Sequence, residues 1–226
     1  MEQPTSGSKL VDGGLLITFE GVDGAGKTLQ VDRLARRLTK SNYDIIRLRD
    51  PGSTNIGDQI RELIIAGEDI SAQTELSLFL AARAEMVDKE ILPALKMGKI
   101  VILDRFNDST IAYQGYGRDI GAKLVSRLID LFASLAGATI KSWHPDLTFY
   151  LKISGATGNE RIATRELPSD KFETQAEFQK RVAAGYDQLA KENPDRIVTI
   201  DGDASMDKVE LAIYQHTVNL IKKRGM

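Results

Sequence analysis

The sequence contains no cysteine and only two histidines. Without cysteine the chain has no disulfide bond, no thiolate metal site and no cysteine nucleophile. His144 and His216 lack the spacing of a metal site, and we interpret both as structural. The net charge of −2 shows no basic excess of the kind that binds nucleic acid or anionic membranes. No apolar run is long enough to cross a bilayer.

The remaining composition is that of a globular protein. Hydrophobic residues make up 42% and charged residues 27% of the 226 residues, which suits one α/β domain with a sizeable core. Residues 1–12 are polar and unlike a secretory signal, so we expect a flexible N-terminal extension and a single domain over residues 13–226. A chain without cysteine is compatible with a reducing compartment, and we expect a cytoplasmic protein.

Short apolar segments alternate with segments of helical periodicity. Strands are predicted at 14–21, from 44 to the turn at Pro51-Gly52, and at 99–106, 145–153 and 196–201. Helices are predicted at 27–39, 56–66, 72–97, 123–135, 178–190 and 206–222, the third of them bent or ended near Pro93. This alternation predicts a three-layer α/β sandwich, in which helices cover both faces of a five-stranded parallel sheet.

The segment GVDGAGKT fits the pattern of a phosphate-binding loop, in which a glycine is followed by four residues and then Gly-Lys-Thr. A predicted strand precedes it and a predicted helix follows it. Backbone N–H groups of the loop would face phosphate oxygens, Lys27 would bridge the β- and γ-phosphates, and Thr28 would bind Mg²⁺. The predicted nucleotide-binding residues are Gly21, Val22, Asp23, Gly24, Ala25, Gly26, Lys27 and Thr28.

The segment VILDRF has the pattern of a Walker-B strand, whose final Asp104 would hold Mg²⁺ through water. The next residue, Arg105, is a poor base and a good phosphate clamp, which favours an anionic acceptor over water. A surface ion pair between Asp104 and Arg105 is the simpler alternative. No Asn-Lys-x-Asp motif occurs in the chain, which argues against a GTPase switch.

Arginines occupy two further informative places. Arg83 lies within an apolar helical stripe, so it either is buried against an anion or base edge or extends to solvent from the edge of the stripe. Arg161 and Arg165 are four residues apart and would share a helix face, which either binds phosphate or is only solvated. The segment of about 155–173 is the best candidate for a mobile lid.

With these motifs in order, the chain resembles the thymidylate kinase family, which transfers phosphate from ATP to dTMP. The resemblance covers nearly the whole chain and is carried by FEGVDGAGKT, RDPGSTNIGDQIR, LFLAARAEMV, DRFNDSTIAYQGYGR and HPDLTFYL. It implies a P-loop NTPase fold with a helical lid, ATP as phosphate donor and Mg²⁺ as cofactor. The expected partners are dTMP, ATP and a second copy of the chain in a homodimer, with no nucleic acid or membrane.

The resemblance implies roles for residues that would bind the base and sugar of dTMP. Phe79 would stack on thymine, and Arg83 would reach the base O4. Thr110 and Gln114 would bind the N3 edge. Tyr113 would crowd the 2′ position of the sugar and disfavour ribonucleotides.

It also implies roles for residues around the acceptor phosphate. Asp23 would accept a hydrogen bond from the 3′-hydroxyl of the acceptor, and Arg61 and Arg105 would hold its phosphate. Asp50, where the family usually has glutamate, would lie near that phosphate and its metal-bound water. The loop of about 201–205 would lie by the adenine of ATP.

Gly24 supplies no cation at a loop position where some family members have a basic residue. The chain resembles the members that place catalytic cations in the lid, which makes Arg161, Arg165 and Lys171 the candidates. Together with Lys27 and Arg105 they would neutralise charge during direct in-line transfer. Lid-type relatives usually have arginine where this chain has Lys171.

Two alternatives stay open. A deoxynucleoside kinase, or another nucleotide kinase on this fold, is one; a nucleoside acceptor would need a general base and no clamp such as Arg61 and Arg105. The other is a nucleotide-binding regulator without transfer activity, for which a damaged loop or lid is expected. This chain retains Lys27, Thr28 and Asp104.

Overall fold

The computed structural model describes residues 13–66, 70–135, 143–154 and 172–224. Within these ranges the strands are β1 (Leu15–Glu20), β2 (Ile45–Arg49), β3 (Ile100–Asp104), β4 (Leu147–Lys152) and β5 (Ile197–Asp201). The α-helices are α1 (Lys27–Lys40), α2 (Asn55–Ile65), α3 (Ala72–Met86), α4 (Leu92–Lys96), α5 (Asn107–Thr110), α6 (Ala122–Leu135), α7 (Phe172–Glu192) and α8 (Met206–Lys223). π-Helical segments occupy Val87–Ile91 and Ile111–Gly117.

The strands form one parallel sheet in the order β2-β3-β1-β4-β5, which confirms the predicted fold class. In the central register, Phe19 lies opposite Asp104 of β3 on one side and Phe149 of β4 on the other. Arg49 at the end of β2 also lies opposite Asp104. The loops after β1, β2 and β3 therefore leave the sheet at the same edge, where open α/β sheets bind their ligands.

The side chains of β1 alternate between two cores. Leu15, Ile17 and Phe19 pack in the core that also contains the apolar faces of α1 and α8. Leu16 packs in the other core, with apolar residues of α3, α6 and α7. This arrangement gives the predicted three layers, because a parallel sheet buried on both faces needs helices on each side.

The third predicted helix is not uniform. α3 runs to Met86, a π-helical segment follows, and Pro93 is the second residue of α4. Proline has no N–H to donate to the carbonyl four residues earlier, and its ring crowds that carbonyl. The irregularity therefore lies in the turn before Pro93, in agreement with the bend predicted near this proline.

Periodicity assigns no helix to residues 107–117, yet the structure has α5 and a π-helical segment there. Glycines interrupt the apolar pattern, and they are required by packing. A Cβ atom on Gly117 would lie 2.6 Å from the ring of Phe178 in α7. α7 itself begins at Phe172, before the predicted start at residue 178. None of the described helices is both long and apolar enough to span a bilayer.

Candidate active site

The phosphate loop joins the end of β1 to the start of α1. Gly21 and Gly26 have φ values of 139° and 86°, which glycine adopts without strain. A Cβ atom on Gly21 would lie 2.6 Å from the carbonyl oxygen of Leu151 in β4. Glycine thus lets the loop pass directly against the neighbouring strand and lead its amides into the N-terminus of α1, which favours bound anions.

Lys27 is buried at the base of this loop. Its Nζ donates to the carbonyl oxygens of Gly21, at 3.0 Å, and Val22, at 2.9 Å. Burial, assisted by the positive charge of Arg105, lowers the pKa of Lys27 to about 7. A phosphate group on the loop would favour the charged amine and raise this pKa again.

Thr28 and Asp104, the predicted metal ligands, are brought together from α1 and β3. Thr28 Oγ1 donates to Asp104 Oδ2 at 2.5 Å. Hydroxyl and carboxylate oxygens are the hard ligands that Mg²⁺ prefers, and at nucleotide sites this ion is commonly held by one or two carboxylates, phosphate oxygens and several waters. The pair therefore fits a Mg²⁺ ion that is bound together with a nucleotide.

Two cavities open at this edge of the sheet. The larger, of about 860 Å³, is lined by the phosphate loop and the Thr28–Asp104 pair, and it extends to Gly202 and Ala204 in the loop after β5. The smaller, of about 270 Å³, contains side chains from α2, α3 and the segment after β3. Four residues line both cavities, namely Asp23, Asp50, Arg61 and Arg105.

The smaller cavity brings together every residue that was predicted to bind dTMP. These are Asp23, Asp50, Arg61, Phe79, Arg83, Arg105, Thr110, Tyr113 and Gln114. The predicted nucleotide-binding residues from Asp23 to Thr28 line the larger cavity. The predicted lid cations Arg161, Arg165 and Lys171 lie outside the described residues.

Arg105 is held between the two cavities. Its φ of 70° is uncommon for a residue with a side chain and indicates a backbone fixed by its surroundings. The guanidinium donates to Asp23 at 2.5 Å, to Tyr113 Oη at 3.2 Å and to the carbonyl oxygen of Gly21 at 3.2 Å. The carboxylate that pairs with Arg105 is therefore that of Asp23, and the surface ion pair with Asp104 was the wrong alternative.

Behind Arg105 lies a buried carboxylate that the sequence motifs did not indicate. Glu20, at the end of β1, is 0% exposed and accepts hydrogen bonds from Phe106 N at 2.8 Å, Ser109 Oγ at 2.5 Å and Tyr186 Oη at 3.1 Å. Burial raises the pKa of Glu20 to about 7. Ser109 and Tyr186 also accept hydrogen bonds from Arg105 Nη1, at 3.2 and 3.4 Å, so Glu20 fixes the groups behind the guanidinium. Its position directly before the phosphate loop was the available clue.

Arg83 is 1% exposed, which removes the alternative of an arginine extended to solvent. Its Nε donates to Asp50 Oδ2 at 2.6 Å, and its Nη2 donates to Thr110 Oγ1 at 2.6 Å. Its Nη1 has no hydrogen-bond partner among the described residues. A buried donor of this kind is normally satisfied in a folded protein. Arg83 also lines the smaller cavity.

Asp50 has a partner that the family resemblance did not imply. The resemblance implies a place near the acceptor phosphate, and Asp50 does line both cavities. Its Oδ2 is nevertheless committed to Arg83, while Oδ1 has no hydrogen-bond partner among the described residues. Asp50 therefore holds Arg83 in the smaller cavity while it also lines the larger one.

Comparisons with known proteins agree with this geometry. A family model described as thymidylate kinase matches residues 19–213. Thymidylate kinases of Staphylococcus epidermidis and Kosmotoga olearia are each 38% identical, over 91% and 93% of this chain and 98% and 99% of those proteins. A crystal structure of thymidylate kinase from Ehrlichia chaffeensis matches with a TM-score of 0.73 and 33% identity, over 91% of this chain and 99% of that chain.

These matches settle the alternatives that the sequence left open. The acceptor in the matched family is a nucleoside monophosphate, so no base for a nucleoside hydroxyl is needed, and a regulator without transfer activity is excluded. The chain belongs to the thymidylate kinase family, whose members transfer the γ-phosphate of ATP to dTMP and so produce dTDP and ADP.

Proposed function

We propose that this chain phosphorylates dTMP at the junction of its two cavities, by direct in-line transfer from ATP. The observation that carries the proposal is the wall that the cavities share, made of Asp23, Asp50, Arg61 and Arg105. ATP would occupy the larger cavity and dTMP the smaller, so that their phosphates meet at this wall. Holding two reactants in this way converts an encounter in solution into a step within one complex, and phosphoryl transfer depends mainly on such positioning.

The phosphate groups would be held by cations from three sides. Lys27 would bind the β- and γ-phosphates, and Arg61 and Arg105 would bind the phosphate of dTMP. When Arg105 turns to that phosphate, Asp23 becomes free to accept the 3′-hydroxyl of the sugar. No protein base is required, because the attacking phosphate oxygen is already an anion. Mg²⁺ held by Thr28 and Asp104 would neutralise charge on the transferred group.

The base of dTMP would lie among the buried groups of the smaller cavity. Phe79 would stack on the ring, and the guanidinium of Arg83, which lines this cavity, would donate to O4. Thr110 and Gln114 would bind the N3 edge, and Tyr113 would lie by the sugar at the 2′ position.

The remaining cations would come from the lid. Gly24 lines the larger cavity without supplying any charge. We propose that Arg161, Arg165 and Lys171 close over the γ-phosphate and stabilise the charge that develops during transfer.

We also propose a homodimer that buries one face of α6. Leu124, Leu131 and Leu135 are 51%, 53% and 75% exposed, and their spacing of seven and four residues places them on the same side of the helix. An exposed apolar stripe of this kind marks an interaction surface, and a two-fold dimer would cover it with its own copy. From the family resemblance we propose that the enzyme works in the cytoplasm.

A coupled assay of ADP release tests the reaction. Wild-type protein is supplied with ATP, Mg²⁺ and either dTMP, dUMP, thymidine or no acceptor. We expect turnover with dTMP and none with thymidine or without acceptor. Turnover with thymidine but not with dTMP would contradict the clamp formed by Arg61 and Arg105, and equal turnover without any acceptor would make water the target.

A further inference from the structure

A buried carboxylate lies beside the residue that is proposed to bind the N3 edge of the base. Glu75, in the first turn of α3, is 8% exposed. Its Oε1 accepts a hydrogen bond from Gln114 Nε2 at 2.7 Å. Its Oε2 accepts one from Arg118 Nη2 at 2.7 Å, and Arg118 Nε lies 3.3 Å from Oε1. Glu75 does not line the smaller cavity, whereas Gln114 does.

The chemistry of this contact fixes the orientation of the Gln114 amide. A carboxylate that is paired with an arginine can only accept hydrogen bonds, whereas a glutamine amide has a donating NH₂ group and an accepting oxygen. If the amide were turned over, its oxygen would face Glu75 Oε1 at hydrogen-bond distance, so two acceptors would oppose each other with no proton between them. Gln114 must therefore direct its NH₂ group to Glu75, which leaves Oε1 as the atom available to the cavity.

We propose that Glu75 is a positioning residue that sets base specificity, because it makes Gln114 present an acceptor to N3 of the bound base. Thymine and uracil carry an N–H donor at N3 and a carbonyl at position 4, whereas cytosine carries an acceptor at N3 and an amino donor at position 4. Gln114 Oε1 and the guanidinium of Arg83 together match the first pattern and oppose the second at both positions. This inference rests on the proposed binding of dTMP in the smaller cavity.

Arg118 would keep Glu75 in place from the outside. Its side chain is 49% exposed, in contrast to 11% for that of Glu75. It contacts both carboxylate oxygens, so rotation of Glu75 away from Gln114 would break two charge-assisted hydrogen bonds. Recognition of the base thus depends on three linked side chains, Gln114, Glu75 and Arg118, the last of which lies at the surface.

The test is the ratio of dissociation constants for dTMP and dCMP, measured by titration of each into the full-length protein. In Glu75→Gln, the Gln114 amide can form a hydrogen bond to residue 75 in either orientation. The preference of the amide for one orientation is therefore lost, while the packing stays similar. We expect dTMP to bind about five- to tenfold more weakly, and the preference for dTMP over dCMP to fall by at least the same factor, with ATP binding unchanged. Glu85→Gln, on the same helix, is the matched control and should change neither constant.

A double-mutant cycle separates this role from a merely structural one. Gln114→Leu removes the amide, so adding Glu75→Gln to it should change the dTMP-to-dCMP ratio no further. Additive effects would overturn the proposal, as would full discrimination by a folded Glu75→Gln protein. If Glu75→Gln does not fold, Arg118→Met releases Glu75 from the exposed side and should narrow the ratio by about threefold; an unchanged ratio there would also overturn the proposal. Absence of dTMP turnover by the wild-type protein would instead refute the proposed function, and this inference with it.

Discussion

Replacing Glu20 with glutamine tests the buried network behind Arg105. Glutamine has nearly the same volume, and its carbonyl oxygen can keep the hydrogen bond from Phe106 N. Its amide can donate to Ser109 Oγ or Tyr186 Oη, because a hydroxyl group both donates and accepts. The substitution therefore removes a charge from the interior while it preserves the packing and the hydrogen bonds.

The magnitude follows from the pKa of Glu20. Burial raises it from the ordinary value of 4.5 to about 7, so between these values the folded chain keeps a proton that the unfolded chain has released. The contribution of Glu20 to the free energy of unfolding is therefore most favourable below pH 4.5 and is lost as the pH rises through 7. At 1.36 kcal/mol per pH unit, this interval corresponds to a loss of about 3 kcal/mol.

Urea unfolding of both proteins between pH 4.5 and pH 8 measures this loss. The single tryptophan, Trp143, is buried, so its fluorescence follows unfolding. As the pH rises from 4.5 to 8, we expect the free energy of unfolding of Glu20→Gln to increase by about 3 kcal/mol relative to that of the wild type. The charge of Glu20 raises the pKa of Lys27, so the difference also contains the smaller shift that its loss causes in the titration of Lys27. Parallel stability curves would refute the reasoning and would mean that the three donors around Glu20 keep it ionised at low pH.

Three shorter predictions concern the two cavities. ATP binding at pH 8 should take up a proton, because burial lowers the pKa of Lys27 to about 7 and bound phosphates favour its charged form. Calorimetry in buffers of different ionisation enthalpy measures this uptake, and proton uptake that persists in Lys27→Arg would show that Lys27 is not its source. Arg83→Met should lower the free energy of unfolding, measured by urea titration, by about 3–5 kcal/mol and should weaken dTMP binding, because it leaves Asp50 buried without its cation. A loss of stability below about 1 kcal/mol would contradict this prediction. Thr28→Val should raise the Mg²⁺ concentration for half-maximal activity by about tenfold or more, with the KM for dTMP unchanged, and an unaltered Mg²⁺ dependence would exclude Thr28 as a ligand.

The sequence pattern by itself determined the fold class and the edge of the sheet that carries the phosphate loop, whereas the family resemblance supplied the residues of the smaller cavity. Apolar strands that alternate with helices leave few topologies other than a parallel sheet covered on both sides. In such a sheet the loops after β1, β2 and β3 meet at one edge, so the order of the motifs is enough to place GVDGAGKT, Asp50 and Asp104–Arg105 together. Local pattern and spacing carry this information, because each motif lies within one strand-loop-helix unit.

Only the tertiary structure decided which side chains are partners. Glu75 and Gln114 are 39 residues apart in the chain, and Glu20 and Tyr186 are 166 residues apart. The pairing of Arg105 with Asp23 spans 82 residues. No periodicity encodes such contacts, because they depend on how helices from different parts of the chain pack over the sheet and which buried groups must then satisfy one another.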